Sequence, residues 1–314
     1  MRPCTFMKGL IKIRMKTENE SRIKILSVIA LITTAAIWGS AFAVMKNSVA
    51  IIPPTYLLAL RFTIATAGLI LAFSKHVKTI GKSDLICGSI LGFFLFISYF
   101  FQTYGLAYTT ASKNAFITTL YVILVPYLHW ILNKKKPSNS QIKAAVIAVA
   151  GLALLSLERD LSVNIGDFLT LICGAFFACH IVFIDRYTVD HDPVKLTVIQ
   201  MAVASILSWI VAPVLEGKLD VTVITGSTLI GLLYLGIFST MISYLLQNVG
   251  QKNLSPNTSS IILSFEAVFG LIFSVLILGE VVTLKIAAGC ILMFLSVLLT
   301  EYKRKNRSKT DPSN

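Results

Sequence analysis

Of the fifteen acids in the 314-residue chain, Glu266 stands out because it lies near the middle of an apolar run. An ionisable side chain held in hydrocarbon costs about 2.5–3.5 kcal/mol on insertion scales, so its presence there points first to function. Glu266 is the eleventh residue of the run 256–278, about 15 Å from its start at 1.5 Å per residue. A carboxyl at that depth can bind a proton, a cationic group of a solute, or each in turn. The alternative is a static structural carboxyl. Arg61 lies about 11 Å inside the run 55–73. It can pair with Glu266, anchor a solute carboxylate, or snorkel towards the headgroups.

Two polar sets share one pattern. Ser98, Tyr99, Gln102 and Gly105 recur as Ser243, Tyr244, Gln247 and Gly250. Residues four apart share a helix face, so the sets can flank a central site from opposite sides. Interhelical hydrogen bonding, worth about 0.6 kcal/mol per bond, is the alternative. Gly105 and Gly250 suit close helix contact. Trp38 and Tyr121 can stack on a cation or an apolar substrate, or pack as ordinary aromatics. Asn114, His180, Asn248 and Asn257 are weaker candidates, and His180 has no second ligand at metal-binding spacing.

Other chemistry finds little support. The five cysteines form no C-x-x-C pair, so neither a zinc site nor a disulfide framework is indicated. They read as small packing residues. The motifs H-E-x-x-H and G-x-S-x-G are absent, as are a Walker A pattern and paired aspartates. No metal, no cofactor and no enzymatic activity are expected.

The elements that must position these residues are long apolar runs. The chain is 55% hydrophobic and 14% charged, with mean hydropathy +0.78; soluble domains carry roughly 25% charged residues. Crossing a hydrocarbon core takes about 18 or more apolar residues, and only helices or closed barrels satisfy the backbone there. Alternating barrel strands are absent. An all-α polytopic membrane protein is therefore expected, with ten spans at 25–45, 55–73, 85–106, 114–132, 142–157, 166–184, 194–214, 228–250, 256–278 and 284–301. The fifth is the weakest, being short.

Net charge of +13 would suit nucleic acid, but the cations flank the runs instead of clustering on a domain. Numbering the connections alternately puts 22 Lys and Arg on one side and 5 on the other. By the positive-inside rule both termini are cytoplasmic, as expected for a plasma-membrane protein. Residues 1–24 read as a basic arm, unstructured before Lys16, and 302–314 as a basic tail suited to lipid headgroups. The first run reads as a retained helix, not a cleaved signal. Ser255 and Pro256 suit the start of the ninth helix.

Self-comparison suggests two halves, 25–157 and 166–301. An offset of 145 superposes the polar sets. One of 139 puts Pro54 on Pro193 and Arg61 on Gln200, and one of 144 puts Tyr121 on Phe265 and Lys136 on Glu280. Five helices per half is an odd number, so the halves enter the membrane in opposite senses, as an inverted repeat around a central site.

Trp38-Gly39-Ser40-Ala41-Phe42, Arg61-Phe62, Gly166-Asp167, Ser264-Phe265-Glu266-Ala267-Val268-Phe269 and Leu278-Gly279-Glu280-Val281-Val282-Thr283 make the chain resemble the EamA-like branch of the drug/metabolite transporter superfamily over roughly residues 25–301. The resemblance implies two five-helix repeats and transport of a small solute, commonly export, without naming the solute. One departure is Asn133-Lys134-Lys135-Lys136-Pro137, where the family often carries a Gly-Glu pair. Glu280 matches a family hallmark, although a capping or interface role suits its place at a helix end. The expected protein is a secondary transporter of a metabolite, amino acid or drug-like amphiphile, working by alternating access with proton coupling through Glu266. Its partners are then the solute, protons and the bilayer, with candidate site residues Glu266, Arg61, Gln200, Tyr99, Gln102, Tyr244, Gln247, Trp38 and Tyr121. A non-transporting membrane scaffold or sensor and an intramembrane enzyme are the alternatives.

Overall fold

The computed structural model describes residues 3–134, 136, 139–156 and 164–310, and every long element among them is a helix. In chain order these are α1 (Pro3–Val49), α2 (Pro54–Ala72), α3 (Lys82–Tyr108), α4 (Ala111–Thr118 and Tyr121–Asn133), α5 (Asn139–Ser156) and α6 (Ile165–Tyr187). They continue as α7 (Pro193–Glu216), α8 (Gly226–Gln251), α9 (Pro256–Leu263 and Glu266–Leu278) and α10 (Leu284–Thr310). Eight are long and apolar enough to cross a membrane: the Ser21–Val49 part of α1, then α2, α3, α4, α6, α7, α8 and α9. The fifth and tenth expected spans do not join them. The run 142–157 ends at Leu157, outside the described residues, and the described apolar part of α10 is the short stretch Leu284–Ser296. These two helices pack along each other, with Gly151 against the Gly289 carbonyl and Met293.

The arm before Lys16 is not irregular: the backbone is helical from Pro3 and runs into α1. Lys135, Pro137 and Arg159, which entered the motif and charge readings, lie outside the described residues.

Polarity is distributed as a lipid-facing bundle requires. Leu71, Val214, Leu276 and Ile210 are exposed, while Asn114, Gln200, Thr240 and Asn248 are fully buried. Polar groups in hydrocarbon are costly unless satisfied within the protein. The bundle interior is where they can be.

Helix ends are set by local chemistry. Prolines open α2, α7 and α9, where the missing N–H and fixed φ cost nothing. Asp192 caps α7 by accepting from Val194 N, and Ser255 caps α9 by accepting from Thr258 N. Pro53, at the N-cap of α2, has no side-chain acceptor to offer. Glu216, the last residue of α7, supplies one: its carboxylate accepts from Thr55 N at 2.8 Å, from Tyr56 N at 3.2 Å and from the Tyr104 hydroxyl at 2.6 Å. Glu280 does the same for α4, accepting from Ala111 N at 2.7 Å and from Ser112 N and Oγ. It is a cap.

At the other end of the bundle, Asp84 of α3 accepts from His191 Nδ1 at 2.6 Å and meets Lys195 Nζ of α7 at 3.4 Å. Thus α3 and α7 are tied at both ends, by Asp84 at one and through Glu216 at the other. Between the ties they touch closely: a Cβ on Gly88 would stand 2.6 Å from Ile199, and one on Gly92 would stand 2.7 Å from Val203.

Features of the two halves correspond at fixed spacing. Both α4 and α9 break in mid-course, after Thr118 and after Leu263, and resume at Tyr121 and Glu266. Both then end in a left-handed residue, Lys134 (φ 56°) and Gly279 (φ 64°). Each of these pairs is 145 apart. The register of 144, which set Tyr121 against Phe265, is therefore off by one residue. With lysine at 134 no glycine marks the cap, and sequence comparison alone slips. The helix contacts correspond too. Gly105 packs on Gly166 and Thr170 of α6, while Gly250 packs on Ser27 and Leu31 of α1. Adding 145 to the first glycine and 139 to the α1 residues converts one contact into the other.

Candidate functional site

Eight of the nine candidate residues border one cavity inside the bundle: Trp38, Arg61, Tyr99, Gln102, Tyr121, Tyr244, Gln247 and Glu266. Gln200 does not. It is fully buried, and its Oε1 is drawn to His180 Nε2 on α6 at 2.9 Å. The expectation of a polar counterpart to Arg61 in the same cavity is corrected accordingly.

Arg61 sits in the second turn of α2 with 1% of its surface exposed, so it does not snorkel. Its Nε donates to Thr240 Oγ1 at 2.9 Å, Nη2 to Ser239 Oγ at 3.1 Å and Nη1 to Met45 Sδ at 3.4 Å. The guanidinium carbon lies 4.6 Å from the centre of the Tyr99 ring, within cation–π range. Both hydroxyl acceptors belong to an unusual stretch of α8, Tyr234–Ile242, which is wound as a π-helix. Such turns are rare and concentrate at functional sites. Within this stretch Thr240 Oγ1 donates to the Leu235 carbonyl, five residues back, and the Ser239 carbonyl accepts from Trp38 Nε1 at 2.9 Å.

Glu266 approaches from the other wall. It opens the second half of α9, is 3% exposed, and its Oε1 has no hydrogen bond among the described residues. The Tyr121 side chain, opening the second half of α4, lies beside it. No ion pair within 4.0 Å joins Arg61 to Glu266 among the described residues. The hydroxyl of Tyr244 and Oε1 of Gln247 are also buried without partners. Groups of this kind need a ligand, a water or a shift of their neighbours to be satisfied.

Several polar candidates also tie helices together or bond within their own helix. Ser98 Oγ and Ser243 Oγ donate to carbonyls of their own helices, and Gln102 Nε2 donates to Thr118. Asn114 Nδ2 donates to Thr170 Oγ1 and Asn248 Nδ2 to Thr197 Oγ1, each at 2.7 Å. Asn257 Oδ1 has no partner among the described residues.

Sequence reading missed Met45, Phe177 and Ser239, which also border the cavity. None carries a charge, and each type recurs throughout the spans. It also missed that Asp84, His191 and Cys87 assemble, with His191 Nε2 3.5 Å from Cys87 Sγ. No group of three or more His, Cys, Asp or Glu among the described residues is placed to hold a metal ion.

The chain matches the model of the EamA-like transporter family over residues 25–157 and 164–302. It belongs to that family. An uncharacterized transporter of Archaeoglobus fulgidus is 31% identical over 300 residues, which is 96% of this chain and 93% of the relative. YyaM of Bacillus subtilis, also named an uncharacterized transporter, is 26% identical over 83% of this chain and 88% of its own length. A solved structure titled "Crystal structure of protein" superposes with a TM-score of 0.69 at 18% identity, covering 90% of this chain and 98% of that one. That likeness speaks to the fold alone. The EamA-like chain, a member of the drug/metabolite transporter superfamily, is thus a multi-pass membrane transporter and not an enzyme. Among the described residues, α4 of the first EamA segment and α9 of the second are broken, and the residue that follows each break, Tyr121 or Glu266, borders the cavity.

Proposed function

We propose that the protein is a proton-coupled secondary transporter that exports a small organic solute across the plasma membrane by alternating access. Ten helices in two inverted five-helix repeats carry it, with both termini in the cytoplasm. The observation that carries this reading is Glu266, a buried carboxyl at the break of α9 with one oxygen free of protein partners and facing a cavity. Breaks in membrane helices commonly mark the binding region of repeat-built transporters. A carboxyl there can take a proton when the solute leaves and return it when the solute enters. The correspondences at 145 and 139 residues support the inverted repeat, because they relate contacts at the C-terminal ends of α3 and α8, which the proposed topology sets on opposite sides of the membrane.

The test is flux in reconstituted vesicles. A solute gradient should drive proton movement in wild-type protein, and Glu266→Gln should abolish it. Proton movement that persists in the variant removes the coupling assignment and leaves the transporter standing.

A further inference from the structure

Resting on the transporter reading, we propose that the solute carries an anionic oxygen group, such as a carboxylate, that seats on Arg61, and an apolar body that lies among the cavity's rings. A guanidinium has five N–H donors. Three are taken, by Thr240, Ser239 and Met45, and two are left on the terminal nitrogens. All three partners are neutral. Of the other buried charged side chains among the described residues, Asp167 has Lys113 at 3.4 Å, and Glu266 has no cation within 4.0 Å. Arg61 has none within 4.0 Å, although it is almost completely buried. A buried charge without a counter-charge is a large local cost, and an incoming anion offsets it. Carboxylate suits the site because the guanidinium fork presents parallel donors to two oxygens.

The rest of the cavity fits an apolar body. Trp38 and Tyr244 lie with ring centres 5.0 Å apart, Tyr99 and Tyr244 6.1 Å apart, and Phe177 stands 5.4 Å from Tyr99. Glu266 borders the same cavity and makes no ion pair within 4.0 Å with Arg61, so the proton site and the anion site are separate groups. Gln247 Oε1, buried on α8 without a partner among the described residues, is available to a polar group of the body, and the Tyr244 hydroxyl lies close to that of Tyr99. A cationic head at this end of the cavity would meet the guanidinium, which disfavours it.

Three ligands with a common ring and different heads decide the matter: phenylacetate, phenylacetamide and phenethylamine, titrated calorimetrically into the purified full-length protein. Phenylacetate should bind on the order of tenfold or more tighter than the amide, a gap of about 1.4 kcal/mol or above, with the amine weakest. Arg61→Gln should erase that preference, and Arg61→Lys should keep only part of it, because an ammonium lacks the fork. Should Arg61→Gln fail to fold, the pair Ser239→Ala and Thr240→Val leaves the guanidinium in place but unaligned, and should narrow the preference. Equal binding of the three, preference for the amine, no heat from phenylacetate at millimolar concentration, or a preference unchanged by these variants overturns the proposal. Because binding is read without flux, its failure is separate from that of the transport reading. Vesicles that move an amine while the protein ignores phenylacetate would sink the anion site alone.

Discussion

Tyr121 and Glu266 hold equivalent stations in two broken helices: each is the first residue after the break, they are 145 positions apart, and the tyrosine side chain lies beside the carboxyl. The two repeats thus bring different chemistry to one place, a phenol from the first and a carboxylic acid from the second. A repeat-built cavity would otherwise present like groups from both sides. The asymmetry leaves a single acid at the centre, and Arg61 repeats it, since its counterpart Gln200 is turned away to His180.

Glu266→Gln should retain the fold and abolish proton-driven solute flux, a loss on the order of a hundredfold if the carboxyl carries the proton. Solute-for-solute exchange across vesicles without a pH gradient should survive, because that cycle needs no net proton transfer. Tyr121→Phe removes only the hydroxyl beside the carboxyl and should cost less. Exchange and proton-driven flux falling together in Glu266→Gln would mean that the carboxyl serves solute binding instead.

Glu216→Ala should destabilise the protein by about 2–4 kcal/mol, since it strips the acceptor from two backbone N–H groups and the Tyr104 hydroxyl together. Tyr104→Phe should cost about 1 kcal/mol. Glu216→Gln keeps a neutral oxygen in place and should fall between. Thermal unfolding in detergent orders the three variants. An alanine variant as stable as wild type would show that water caps α2 equally well.

What the amino-acid sequence makes legible is whatever contrasts with its surroundings. Glu266 and Arg61 are readable because a charge in an apolar run is costly, and the tyrosine and glutamine pairs because they recur at fixed spacing. Ser239, Phe177 and Met45 are invisible by the same logic, since residues of the same types occur throughout the apolar runs. The tie from Asp84 to His191 joins a helix of the first repeat to the connection before α7 in the second, 107 positions away, and no local pattern announces it. The π-helical stretch of α8 contains Gly236, but Gly231 and Gly250 stand in the α-helical parts of the same helix, so the glycine does not mark it. The register of the fourth and ninth helices slipped by one because Lys134 adopts a left-handed conformation that favours glycine.

Gly105→Val should weaken α3 against α6. An ideal Cβ at Gly105 would stand 2.6 Å from Thr170 Oγ1 and 2.8 Å from the Gly166 carbonyl, too near for either to remain in place. Overpacking of this kind typically costs about 1–3 kcal/mol, and a backbone carbonyl yields less readily than a side chain. Gly226→Ala meets nothing within 4 Å and should stay within about 0.5 kcal/mol of wild type. Similar melting temperatures for Gly105→Val and Gly226→Ala would show that the α3–α6 contact is looser than drawn.

The orientation is open to a labelling test that also probes the inverted repeat. Lys78 and Lys218 are exposed, and each adjoins one of the ties of α3 and α7. Lys78 lies near Thr79, whose carbonyl accepts from Lys195 Nζ, and Lys218 follows Glu216 by two residues. In a cysteine-free background, Lys218→Cys should react with a membrane-impermeant maleimide added to intact cells, whereas Lys78→Cys should react only after permeabilisation. The reasoning is electrostatic: cytoplasmic loops hold the cations, and the Lys78 side carries 22 of the chain's 28. A cysteine placed at Asn314 should behave as Lys78→Cys does, because an even number of crossings returns the chain to the side from which it started. If Asn314→Cys instead labels from outside, the count of crossings is odd, and two equal halves of opposite sense cannot account for the chain.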